Sequence, residues 1–181
     1  MEKEKRNFRS ELVSMTLAAM FMAIGLVLPF LTGQIKTIGR MLLPMHFPVM
    51  LCGLICGWHY GALVGFTLPI LRSVIFTMPV FYPTALAMAF ELMTYGLVIS
   101  LCYSVLPKRT VNLYASLIIA MVAGRVVWGG VTAILLGATG SALTWKVFIS
   151  GSLLNAFPGI ILQILIIPAL MMLLKKMRLL K

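Results

Sequence analysis

Charged residues are scarce in this chain. Only 10% of its 181 residues are charged, whereas ordinary soluble domains contain about 25%. Hydrophobic residues make up 61% of the chain, and the mean hydropathy is +1.06. So little charge cannot cover a water-soluble surface. We therefore predict an all-α integral membrane protein that forms a single membrane domain over residues 1–181, because only short loops separate its apolar segments.

Acidic residues and histidines are scarcer still. Aspartate is absent, and three of the four glutamates (Glu2, Glu4 and Glu11) lie near the N-terminus. This excludes an aspartyl dyad, and two histidines are too few for most metal sites. The chain also has no HExxH, GxSxG or Walker A motif. We expect neither an enzyme, nor a bound metal or cofactor, nor ATP hydrolysis by this chain itself.

Basic residues dominate the charge, with fifteen Lys and Arg and a net charge of +11. Most of them lie beside apolar segments, where Lys and Arg act as topology signals, so we do not expect a nucleic-acid partner. If the N-terminus is cytosolic, Lys36, Arg40 and Lys146 are the basic residues outside. The larger, cytosolic set is Lys3, Lys5, Arg6, Arg9, Lys108, Arg109, Lys175, Lys176, Arg178 and Lys181. This asymmetry predicts that both termini are cytosolic.

The apolar segments predict a six-transmembrane-helix bundle. A hydrocarbon core about 30 Å thick requires about 20 helical residues. The predicted helices lie near 11–31, 41–57, 60–78, 82–106, 113–136 and 146–174. The second and third are short and contain several Gly and Pro residues.

Three charged residues, Arg72, Glu91 and Arg125, lie inside apolar segments. A charge at the bilayer centre costs roughly 2.5–3.5 kcal/mol, and such residues usually face the interior of a bundle and have a function. Arg72 precedes and Glu91 follows the turn at 79–83, each by about two helical turns, or roughly 10–12 Å. We therefore expect these two side chains to lie side by side.

The expected pairing has two interpretations. Arg72 and Glu91 form a structural ion pair between two helices, or they belong to a binding pocket. If Glu91 pairs with Arg72, no acidic residue inside the membrane remains for Arg125. One positive charge is then uncompensated, and a bound carboxylate would compensate it, because the planar guanidinium donates two parallel hydrogen bonds.

Other polar and aromatic side chains fall in the same outer half of the predicted bundle. Each has a plain structural alternative: a packing histidine, an interhelical hydrogen bond or an interfacial aromatic ring. The predicted substrate-binding set is His46, Arg72, Glu91, Tyr95, Arg125, Trp128 and Asn155.

The first helix carries small residues at a spacing of four, Ala19 and Ala23. Small residues allow close helix approach in membranes, where van der Waals packing drives association. The pair is compatible with packing inside the protein and with docking of a partner.

The chain resembles the substrate-binding (S) components of energy-coupling factor (ECF) vitamin transporters. The resemblance covers nearly the whole chain and includes the six spans, the cytosolic termini and the alanine pair. The segments that carry it are Leu-Pro-Met-His-Phe-Pro-Val at 43–49, the glycines at 57–65, Glu-Leu-Met-Thr-Tyr-Gly at 91–96 and Asn-Ala-Phe-Pro-Gly-Ile-Ile-Leu-Gln at 155–163. Segment 43–49 is similar to the pantothenate branch, and pantothenate is a carboxylate.

The resemblance implies high-affinity capture of a vitamin or related small molecule at a bacterial plasma membrane. Ala19 and Ala23 would dock onto a transmembrane coupling protein that carries two ATPases. The loop 32–40, with Lys36 and Arg40, would close over the ligand as a lid. Two alternatives are a membrane assembly or scaffold subunit without a ligand, and a small stand-alone carrier.

Overall fold

A computed structural model describes residues 2–32, 42–107, 109–138 and 157–177. These ranges contain helices and no strand, which agrees with the predicted fold class. The helices are α1 (Glu2–Val27), α2 (His46–Cys56), α3 (Trp58–Phe76), α4 (Leu86–Val105), α5 (Thr110–Ala138) and α6 (Phe157–Lys176). A short 3₁₀ segment, Leu28–Thr32, continues α1.

Five segments of the described chain are long and apolar enough to cross a membrane. They are Glu11–Phe30, Trp58–Phe76, Phe81–Val105, Thr110–Gly137 and Phe157–Lys176. The second predicted span is shorter than expected, because α2 has 11 residues; at 1.5 Å per residue it is only about 16 Å long. The predicted start of the last span at residue 146 lies outside the described residues.

A proline and a glycine define the two ends of α2. Pro48 lies in its first turn, where a backbone amide has no intrahelical acceptor, so the amide hydrogen that proline lacks costs no hydrogen bond. Gly57 follows the last turn with φ +94°, a conformation that side-chain-bearing residues rarely adopt. Because α3 begins at Trp58, this single glycine connects two helices.

The connection between α3 and α4 extends beyond the predicted turn at 79–83 on both sides. Thr77 ends α3 in the left-handed conformation, and a wide turn, Phe81–Ala85, precedes α4. Tyr82 has an extended backbone within this turn, and its hydroxyl donates a hydrogen bond to the carbonyl of Leu135 in α5. The contact ties the turn to the last residues of α5. We call this the His46 end of the bundle: α1, α3 and α5 finish here, and α2 and α4 begin.

Helix α4 is central in the described bundle and packs against α2, α3 and α5. Helix α1 packs on α2 and α3, whereas α6 contacts α5 and α2. Between the helices lies a buried apolar core that includes Val49, Leu68, Leu92, Tyr95, Ile99, Leu117 and Ile167.

Three glycines allow α2, α3 and α4 to touch through their backbones. A Cβ atom added to Gly61 would lie 2.6 Å from the Cα of Gly53 and 2.9 Å from the carbonyl oxygen of Gly96. A Cβ on Gly53 would lie 2.5 Å from the same oxygen. Small residues at such crossings maximise van der Waals contact between membrane helices. This crossing brings α2 and α4 close enough for their side chains to form one cluster.

Substitution of Gly61 tests this crossing. Gly61→Ala places a methyl group against two backbones that cannot rotate away, and we expect it to destabilise the protein by about 1–3 kcal/mol, as overpacking does. Gly130→Ala is the matched control, because its added Cβ would meet no neighbouring helix within 4 Å in the described chain. Thermal unfolding in one detergent should show a lower midpoint for Gly61→Ala only. Equal midpoints would contradict the close crossing.

Candidate ligand-binding site

A buried polar cluster lies between α2, α4 and α5. Its centre is Glu91, whose side chain is 2% exposed. The Oε1 atom of Glu91 lies 2.9 Å from Nη1 of Arg125 and accepts a hydrogen bond of 2.9 Å from the Tyr95 hydroxyl. His46 Nε2 lies 3.8 Å from the same oxygen, which is beyond hydrogen-bond length. The cluster joins four of the residues that the sequence predicted.

Helix geometry explains how these side chains meet. Glu91 and Tyr95 are four residues apart on α4 and therefore share one face. His46 is the first residue of α2, and its ring centroid lies 5.3 Å from that of Tyr95. Gly124 of α5 leaves room for the Tyr95 ring, because an added Cβ would overlap it. Arg125 follows Gly124 in α5 and thus reaches Glu91 across the α4–α5 contact.

The predicted pairing of Arg72 with Glu91 is wrong. Nη1 of Arg72 donates a hydrogen bond of 2.5 Å to the carbonyl of Leu26, in the last turn of α1. Its guanidinium carbon lies 5.2 Å from the ring centroid of Phe30 and 5.4 Å from that of Phe76. Spacing placed Arg72 and Glu91 at similar depths, but it did not determine which face of each helix they occupy.

Arg72 is stabilised without an acidic partner among the described residues. Helix C-terminal carbonyls carry partial negative charge and stabilise a nearby cation by about 0.3–1 kcal/mol. A desolvated cation–π contact adds about 2 kcal/mol. The residue is only 4% exposed. The surplus positive charge therefore lies at Arg72, and the pair of Glu91 and Arg125 is neutral.

Several buried polar atoms at the His46 end have no hydrogen-bond partner within the described part of the chain. They are Nδ1 and Nε2 of His46, Nε and Nη2 of Arg125, Oγ1 of Thr132 and, from α6, Nε2 of Gln163. Leaving a buried donor or acceptor unpaired costs about 1–3 kcal/mol, and more for a charged group. Such atoms are therefore available to an incoming polar molecule.

Thr132 extends the predicted set of site residues, and Gln163 is a further buried polar residue outside that set. Thr132 lies seven residues after Arg125, on the same face of α5. Gln163 is 1% exposed, whereas its α6 neighbours Leu165 and Ile166 are exposed apolar residues. A lone polar residue in an apolar helix was the available sequence signal for Gln163.

The remaining predicted residues are only partly described. Trp128 is half-buried on α5, one turn after Arg125. Lys36, Arg40 and Asn155 lie outside the described residues, so their predicted roles stay predictions. Among the described side chains, no group of three or more His, Cys, Asp or Glu could hold a metal ion.

The arrangement defines a multi-pass membrane protein with a buried polar cluster suited to a small molecule. A family model described as "ECF transporter, substrate-specific component" matches residues 13–171, and the chain belongs to this family. No curated protein and no solved structure matches the chain significantly. Members of the family are the substrate-binding subunits of ECF-type uptake systems rather than enzymes. Membership therefore implies a small-molecule substrate and a partner ECF module.

A double-mutant cycle tests the pairing of Glu91 with Arg125. Breaking a buried ion pair by removing one partner costs about 3–5 kcal/mol, because the other charge is left uncompensated. Glu91→Gln and Arg125→Gln should each lower the free energy of unfolding, and the double variant should lose much less than their sum. The control cycle combines Glu91→Gln with Arg72→Gln, whose effects should add. Additivity in the first cycle would contradict the pair of Glu91 and Arg125, and strong coupling in the second would restore the pairing of Arg72 with Glu91.

Proposed function

We propose that this chain captures a vitamin or related small molecule that bears a carboxylate, from outside a bacterial plasma membrane. It would deliver this ligand for ATP-driven uptake with a separate coupling protein and two ATPases. Family membership supports the general role. The carboxylate rests on one observation: an edge of the buried Arg125 guanidinium that has no partner in the described chain.

The geometry of the guanidinium selects the ligand group. Nη1 of Arg125 is engaged by Glu91, whereas Nε and Nη2 are not. These two nitrogens form one side of the planar fork and point two parallel N–H groups in the same direction. A carboxylate accepts both, whereas a single hydroxyl accepts one and leaves the other donor unpaired. The ring nitrogens of His46, also unpaired, offer a further contact beside them.

The roles of the predicted residues differ within this proposal. Arg125, His46 and Trp128 contact the ligand, with Thr132 and Asn155 as further polar contacts. Glu91 and Tyr95 hold the Arg125 guanidinium in place. Arg72 is left out of the site, because its guanidinium is engaged by α1 and by two aromatic rings.

Two family-level features complete the proposal. The protein has six spans, and the asymmetry of Lys and Arg supports cytosolic termini. The loop that holds Lys36 and Arg40 closes over the bound ligand. Pantothenate is the first compound to test, because it is a carboxylate and segment 43–49 is similar to the pantothenate branch.

Binding measurements test the carboxylate. The purified chain should bind pantothenate more tightly than the neutral alcohol pantothenol, by tenfold or more, since a charged hydrogen bond contributes about 1.5–3 kcal/mol. Arg125→Gln should remove this preference in isothermal titration. Arg109→Gln, an exposed arginine between α4 and α5, is the matched control and should leave it unchanged.

The carboxylate proposal does not depend on pantothenate alone. If pantothenate does not bind, native mass spectrometry of gently purified protein should identify a co-purified acid, and the same comparison is made with that acid. A tightly bound ligand without an acidic group would contradict the carboxylate. Transport by the chain alone in empty liposomes would contradict the role as a subunit.

The proposed docking surface is the stripe of Ala19 and Ala23 on α1. Both alanines are exposed, whereas Ala18, on the neighbouring stripe, is 5% exposed and packs in the core. Packing inside the protein, the alternative to docking, thus applies to Ala18. The exposed stripe remains free within the described chain to receive the coupling protein.

Bulky substitutions test this surface. Ala19→Trp with Ala23→Trp should abolish co-purification of coexpressed coupling protein and ATPases, because close helix approach is lost. Ligand affinity should change less than twofold. Ala133→Trp makes the same change at an exposed position of α5 and should leave the complex intact. Retention of the partners by the double variant would show that another surface docks.

A further inference from the structure

Helix α1 is the least enclosed of the membrane-crossing segments in the described chain. In its most apolar window, 17% of the residues are buried, against 50% in the segment Phe81–Val105. Its contacts with α2 and α3 therefore lie along one side of the helix. The rotation of α1 about its axis decides which stripe faces outward.

Apolar packing holds one side of α1. Ala18 is buried in the core, and Gly25 lies so close to α3 that an added Cβ would be 2.5 Å from a methyl group of Leu68. Phe21 and Met22 pack against the same core and are partly buried. Such contacts favour burial of this side of α1. Because they are not directional, they tolerate small rotations of the helix about its axis.

The Arg72 guanidinium adds directional contacts at the end of α1. It donates to the Leu26 carbonyl and faces the rings of Phe30 and Phe76, whose own centroids are 4.9 Å apart at an interplanar angle of 81°. Arg72, on α3, thus contacts both the last turn of α1 and the residues that follow it. Ala23 lies only three residues before Leu26, about 4.5 Å along the helix axis.

We propose that Arg72 is a positioning residue that fixes the rotation of α1 on α3 and thereby presents the Ala19 and Ala23 stripe to the coupling protein. The inference rests on the docking surface of the proposed function. The two membrane arginines then have different roles: Arg125 binds the ligand, and Arg72 positions the helix that docks onto the partner. A residue that lies outside the docking surface would then control docking.

The variant Arg72→Gln tests this separation. It removes the charge and both ring contacts, so hydrogen exchange of the amides at residues 23–30 should become at least tenfold faster. Association with coexpressed coupling protein and ATPases should weaken by about tenfold, while the affinity for pantothenate, or for the acid found by native mass spectrometry, stays within twofold. Arg72→Lys should restore association, because its ammonium group reaches the same carbonyl and rings. Arg125→Gln should show the reverse pattern, with weakened ligand binding and normal association.

Several outcomes would overturn the inference. An unchanged rate of hydrogen exchange at residues 23–30 would show that Arg72 does not hold α1 in place. Normal association despite faster hydrogen exchange would show that the contacts of Arg72 with α1 do not control docking. Equal losses of ligand and partner binding would indicate general destabilisation. If Arg72→Gln does not fold, Phe76→Leu removes one ring only and should give the same pattern with smaller changes. The proposed docking surface is judged separately by the tryptophan variants, since a complex that survives them removes that surface whatever Arg72 does.

Discussion

The ion pair between Glu91 and Arg125 is the interaction on which this structure depends. It places the one acidic residue of the apolar segments against one of their two arginines, and it makes this pair neutral. A buried pair is favourable only when its remaining donors and acceptors are satisfied. Glu91 meets this condition through Tyr95, whereas Arg125 keeps two unpaired nitrogens within the described chain. That asymmetry leaves two parallel donors for the carboxylate of the proposed ligand.

The backbone contacts of α2, α3 and α4 make this pair possible. Gly53, Gly61 and Gly96 bring the three helices together without intervening side chains, and Gly124 makes room for Tyr95. The polar cluster is therefore supported by rigid helices rather than by loops. Helix α1, by contrast, is the least enclosed segment of the described chain, and it keeps Ala19 and Ala23 exposed. The protein thus combines a site between buried helix faces with a helix whose outer face is exposed, an arrangement suited to a subunit that binds a ligand and also docks.

Composition and apolar segments predicted the helical membrane fold, because they report burial in lipid directly. Depth along a helix was also predictable, so His46, Glu91, Tyr95 and Arg125 were assigned to one region. The arginine that pairs with Glu91 was not predictable, because the pairing depends on helix rotation and on neighbouring helices, which spacing does not determine. The sequence also could not show that a backbone carbonyl and two phenylalanine rings would accommodate Arg72. The burial of Gln163 was not predictable for a similar reason: it depends on how α6 packs.

A structure of the chain with its co-purified ligand tests the central claim most directly. The account predicts a ligand carboxylate within hydrogen-bond distance of Nε and Nη2 of Arg125, while Glu91 remains on Nη1. A ligand bound elsewhere, or an Arg125 edge already occupied by another side chain of the protein, would contradict it.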